Sequence, residues 1–142
     1  MDRQRWAAAA IAAALLFATA TDYVPQFRDE GGKVFGLFAL DIYKDALHLA
    51  SGVWALVAAL WSRRASETFL RIFGTLYLAD GFMGVFTGAG FLDLSIITQG
   101  LRYTPVIIKL MSSAPHVVLG LIGVWFGWRG GGRERPTIVG AA

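Results

Sequence analysis

The chain should fold as an all-α polytopic membrane protein, a four-transmembrane-helix bundle built from two repeated helical hairpins. Three observations predict this. Hydrophobic residues make up 56% of the 142 residues and charged residues only 16%, against about 45–50% and about 25% in an average soluble domain. Four apolar runs approach the roughly 20 residues that cross a bilayer's hydrocarbon. The 13 lysines and arginines gather at the ends of those runs instead of covering a surface.

The first run, about 6–24, is rich in Ala and Leu. It has a rival reading as a secretory signal: basic Arg3 and Arg5, an apolar stretch, then Ala18-Thr19-Ala20 as a small-residue cleavage site within residues 1–20. The internal similarity described below favours a retained helix, because it needs this helix as a partner. The second run is about 44–61, the third about 69–88 and the fourth about 107–128. Ser62 to Thr68 reads as a short turn, and short turns make neighbouring helices antiparallel. Longer loops, about Pro25 to Tyr43 and about Ala89 to Val106, join the other ends. Residues 129–142, with Gly-Gly-Gly-Arg-Glu-Arg-Pro, read as a flexible tail.

Orientation follows from the basic residues. With the N-terminus inside, the inner segments hold Arg3, Arg5, Arg63, Arg64, Arg71, Arg129, Arg133 and Arg135, and the outer ones hold Arg28, Lys33, Lys44, Arg102 and Lys109. This excess, eight against five, lies close to the helix ends, where it directs topology. Trp6, Trp61 and Trp128 fall at the inner boundaries, and Tyr23, Tyr43 and Tyr103 near the outer ones, as interfacial anchors should. Both termini are therefore expected in the cytoplasm and the chain in the cell membrane, a bacterial inner membrane. The net charge of +3 and pI of about 9.6 fit contact with anionic lipid. They do not suggest nucleic acid, since no basic stripe or tail collects them.

Asp45-Ala46-Leu47-His48-Leu49-Ala50-Ser51-Gly52 lies over Ser113-Ala114-Pro115-His116-Val117-Val118-Leu119-Gly120 at an offset of 68 residues, sharing A-x-H-x3-G. The chain has two histidines, and both fall in this register. Two hairpins related by an axis along the membrane normal would account for that. Phe73-Gly74-Thr75-Leu76-Tyr77-Leu78-Ala79-Asp80-Gly81, together with Asp45-x-x-His48-Leu49-x-x-Gly52, resembles a family of small bacterial four-helix membrane proteins, domain of unknown function 4383. The family pattern pairs a G-x-x-Y-L-x-x-G helix with an N-x-x-H-L-x-x-G helix in each half. Here Asp45 and Ser113 stand at the Asn position, and the first helix lacks the Tyr-Leu motif. The resemblance implies the four-helix fold and no activity.

Ionisable groups inside a span are costly and mark candidate sites. They are Asp80, His48, His116 and Lys109, with Asp45 and Lys44 nearer the surface. At about 1.5 Å of rise per residue, Asp80, His48 and His116 lie at similar depth in the outer half. Lys109, Ser113 and His116 share a helix face at i, i+4, i+7. Asp80 reads as a structural carboxyl, neutral or hydrogen-bonded to a neighbouring helix, or else as a proton-relay or cation-binding group. The histidines read as polar ties between helices. The alternatives are axial ligands to a b-type haem, or a divalent metal site with Asp80. Gly84-x3-Gly88 and Gly123-x3-Gly127 read as helix-packing motifs. Pro115 should kink the last helix beside His116.

With no cysteine, disulfides and thiolate chemistry are excluded. There is no phosphate loop, nucleophile elbow or H-E-x-x-H, and Ser112 and Ser113 lack a base-and-orienter set, so no catalytic residue and no metal centre is expected. The expected role is non-enzymatic: a structural or accessory membrane protein, as a homo-oligomer or complex subunit, with no cofactor. The alternatives are a bis-histidine haem electron carrier using His48 and His116, and proton or small-solute transport through a cavity around Asp80.

Overall fold

The structure, a computed structural model, describes residues 1–36, 38 and 41–129; the tail beyond Arg129 lies outside the described residues. The described chain is all-helical, with helices α1 (Arg3–Asp22), α2 (Ile42–Trp61), α3 (Arg63–Thr87), α4 (Ser95–Thr98) and α5 (Val106–Arg129), and a 3-10 turn at Pro25–Phe27. Two of them, α3 and α5, are long and apolar enough to cross a membrane.

Three of the long helices, α1, α2 and α3, begin where a side chain can satisfy free amides. Asp2 accepts from the Arg5 N–H at the start of α1. Asp41 accepts from the Tyr43 and Lys44 N–H groups at the start of α2, and from the Lys44 ammonium at 3.1 Å. Partial burial pushes the Asp41 carboxyl up, but the donors from Lys44 and Tyr43 outweigh it and hold the group below its usual value. Ser62 closes α2 and caps α3, accepting from the Ala65 N–H. The stretch read as a turn, Ser62 to Thr68, is therefore one extended residue followed by helix. The correction has a physical cause: Arg63 and Glu67 pair at i, i+4, so this polar turn is helical without being apolar.

The helices pack as antiparallel pairs, α3 with α5 most extensively and α1 with α2 next. Both pairs use one device at the ends where α2 and α5 finish. The Arg5 guanidinium of α1 donates to the carbonyls of Ala59 and Leu60, at the end of α2. The Arg71 guanidinium of α3 donates to the carbonyl of Gly127, near the end of α5. Each supplies a cation to C-terminal carbonyls that lack helix partners.

Small residues set the spacing. An added Cβ at Gly74 would fall 2.4 Å from the Val124 nitrogen, and one at Gly120 would fall 2.5 Å from the Leu78 nitrogen. Gly123 and Gly127 of α5 also lie against backbone of α3, as the packing motif requires. On α3 the motif is only half right. Gly84 meets the Ser113 side chain, but Gly88 has φ 77° and ends the helix, its N–H bonded to the Gly84 carbonyl. Its role is the left-handed cap that favours glycine.

The core is made of α1 and α2 alanines, Ile11 and Leu15, and a stacked aromatic ladder on α3 of Phe69, Phe73 and Tyr77, with centroids 4.9 and 4.0 Å apart. The distribution outside it is inverted relative to a soluble protein. The buried residues of α5 are Ser113, Gly120, Gly123 and Gly127, while Ile107, Leu121, Trp125 and Trp128 are exposed. On α2 the buried set is Asp45, His48, Gly52, Ala55, Ala58 and Ala59, and Val53, Leu60 and Trp61 face outward.

Candidate functional site

Asp80 sits on the inward face of α3, almost completely buried. The chain after Gly88 turns back into the bundle, and its amides reach this carboxyl: Oδ1 accepts from the Phe91 N–H at 2.7 Å and the Leu92 N–H at 2.8 Å. Gly90 permits the approach, since a Cβ there would lie 2.7 Å from both carboxyl oxygens. Oδ2 is 2.6 Å from Nδ1 of His116 on α5. With Oδ1 occupied by two amides, Oδ2 acts as acceptor and the ring donates through Nδ1–H. A carboxylate partner of this kind holds the imidazole's orientation and tautomer, leaving Nε2 for another group.

His116 also meets Tyr77, 4.9 Å between centroids, and His48 of α2, 5.9 Å and edge to face. The Tyr77 hydroxyl is 3.1 Å from Oγ of Ser51. Two hydrogen-bonded groups, Ser51–Tyr77 and Asp80 with His116 and the loop amides, thus meet by ring contact where three helices and the returning loop converge. His48 is nine-tenths buried, and its Nδ1 has no hydrogen-bond partner. The structure therefore brings His48, Asp80 and His116 together. Among the described residues no three metal-ligating side chains form a group that could hold an ion.

Two expected members stand elsewhere. Lys109 reaches the Phe86 carbonyl, at 3.4 Å, along an exposed path. Its long side chain runs to the carbonyl end of α3, so a shared helix face did not bring its ammonium to the histidines. Asp45 is buried but faces Asp22 and Tyr23 at the C-terminal end of α1, and its Oδ1 lacks a partner. It lies one turn before His48 on α2 and belongs to the α1 seam.

Asp93 was missed. It is buried, accepts from the Ser95 N–H and hydroxyl, and lies 3.8 Å from the Lys44 ammonium. The Asp-x-Ser spacing was the available signal, a pattern in which the side chain closes its own turn. Tyr77 and Ser51 were also missed as site residues, although Tyr77 was quoted in a motif.

Beside these groups lies a cavity of about 600 Å³ at the end of the bundle that holds the loops around Val34 and Ala89, touched by His48, Asp80 and His116. Val34 and Ala89 are buried, so both loops are packed into the molecule. A second hollow, between α2 and α3 at Trp54 and Trp61, is shallow and open.

An all-helical chain, two of whose helices are long and apolar enough to cross a membrane, with a carboxyl–imidazole pair tied to a returning loop, is the class that fold and site define. The chain belongs to the family of domain of unknown function DUF4383, whose model matches residues 5–129. No curated protein and no solved structure matches it.

Proposed function

We propose that this chain is a four-span protein of the cell membrane, with both termini cytoplasmic, that acts without catalysis as a binding or accessory subunit, its ligand seat being the outer cavity. The observation that carries this is the inverted surface. Helices α2 and α5 bury glycine, alanine, serine and ionisable groups and expose large apolar side chains. Water would penalise that arrangement, whereas lipid favours it, because helices in lipid associate through small and polar residues. The two-hairpin repeat has the support of its matched parts: His48 with His116, Gly52 with Gly120, and Arg5 with Arg71, each arginine binding the end of its partner helix.

The absence of cysteine makes the topology directly testable. Single cysteines at Glu30 and Tyr103, both on outer loops, should react with a membrane-impermeant maleimide on intact cells. One at Arg64 should react only after permeabilisation. Labelling of Arg64→Cys on sealed cells, or of all three positions alike, would sink the four-span reading.

The hydrogen-bonded Asp80–His116 pair on the wall of the cavity favours proton-coupled transport as a second reading. It requires pH-dependent flux in proteoliposomes that Asp80→Asn abolishes. The haem alternative asks two imidazoles in edge-to-face contact to part and admit a macrocycle, and no observation favours it.

A further inference from the structure

The outer cavity has two unlike walls. Its inner end carries His48 and the Asp80–His116 pair; its sides on α1 and α5 are Phe17, Ala18, Ile108 and Val118. Its rim carries Lys33 and Arg102. The two acids that touch it are already satisfied: Asp80 by His116 and two amides, Asp93 by Ser95 and the Lys44 ammonium. Among the described residues, neither Lys33 nor Arg102 lies within ion-pair distance of a carboxylate; Asp29 binds the Lys33 amide and offsets part of the charge there, so the rim's attraction for an anion falls chiefly to Arg102. The seam between α1 and α5 is the least extensive of the principal helix contacts. It lies where the apolar walls face each other, so the cavity's loosest side is the one that would open toward lipid.

We propose that this cavity binds a single-chain amphiphile with an anionic head, entering between α1 and α5. The proposal rests on the four-span reading. Volume selects the chain number: 600 Å³ holds about 20 groups the size of a water molecule, about 30 Å³ each, and with methylenes of similar size that is one long acyl chain with its head and far less than a two-chain phospholipid. Charge selects the head. Arg102 offers paired N–H donors that suit a carboxylate or a phosphate, and Lys33 adds a second cation.

The test uses the full chain in lipid nanodiscs and equilibrium binding of tritiated palmitate, with hexadecyl phosphate and hexadecanol as competitors. Palmitate or hexadecyl phosphate should bind at least about tenfold more tightly than hexadecanol, the difference expected of one charge-assisted contact. Which of the two acids prevails identifies the head as carboxylate or phosphate. Arg102→Gln should weaken binding about tenfold, and Ala18→Trp should block it while the protein keeps its helical circular dichroism. Hexadecanol binding as tightly as the acids would overturn the anionic head. Saturable binding that survives Ala18→Trp would overturn the location. Absence of binding by all three would overturn the proposal, while maleimide labelling of the same preparations reports separately whether four spans are present.

Discussion

At the scale of single residues, the heaviest electrostatic burden falls on Asp80. Three donors converge on a carboxyl that is 2% exposed. Removing it leaves two part-buried amides and a part-buried imidazole without an acceptor, and an unsatisfied buried group costs about 1–3 kcal/mol. Asp80→Ala should therefore cost about 3 kcal/mol or more. Asp80→Asn, which keeps an oxygen for the amides, should cost less. Thermal unfolding in detergent, followed by tryptophan fluorescence, checks the order; equal losses for both would show that the amide contacts do not matter. Asp41 supplies a pH prediction. Its carboxyl is held below the ordinary value in the folded chain, so its contribution is fully present above the unfolded value of about 3.9 and fades as pH falls through the folded one. Half-exposure keeps the effect small. Between pH 5 and pH 3 the unmodified chain should lose slightly more stability than Asp41→Asn, whose cap does not titrate. A parallel decline of the two would count against the cap's charge.

At the scale of elements, α3 and α5 meet through glycine. A Cβ at Gly74 would strike the backbone of α5 at 2.4 Å, and backbone cannot step aside as a side-chain tip can. Gly74→Ala should therefore cost about 1–3 kcal/mol, the usual penalty of overpacking, and should lower the unfolding midpoint. A Cβ at Gly32, where φ is positive but nothing lies within 4 Å, would meet only local strain. If Gly32→Ala proved the more damaging of the two, close helix approach would not be the reason for Gly74. The four long helices were legible in the sequence because apolar runs of bilayer length leave few alternatives. The first turn of α3 was not, because charge at Arg63, Arg64 and Glu67 resembles a loop until the Ser62 cap and the Arg63–Glu67 pair are seen. The same limit governed the site. Depth counted along each helix placed His48, Asp80 and His116 at one level. Counting says nothing of rotation or side-chain reach, so Lys109 and Asp45 were grouped with them wrongly, and Asp93 depended on a loop whose return into the bundle is a non-local event.

At the scale of the whole molecule, the surface itself carries the functional argument. In a soluble protein an exposed leucine is an ordinary surface residue, and changing it to lysine is close to neutral or improves solubility. In a membrane protein the same position faces hydrocarbon, where a central lysine costs about 2.5–3.5 kcal/mol on insertion scales. Leu121 lies near the middle of α5 and is 52% exposed, while its neighbour Gly120 packs on α3. Leu121→Lys should therefore reduce the membrane-inserted yield severalfold, whereas Leu121→Phe should leave it unchanged. The comparison isolates charge from size, because phenylalanine is larger than leucine yet equally apolar. Full yield of Leu121→Lys in the soluble fraction would mean that water covers this face and that the inverted surface has another explanation. Loss of the lysine variant alone would mean that lipid covers it. The small and polar residues of α5 would then be the surface on which the bundle assembles, with the Asp80–His116 pair enclosed at its outer end.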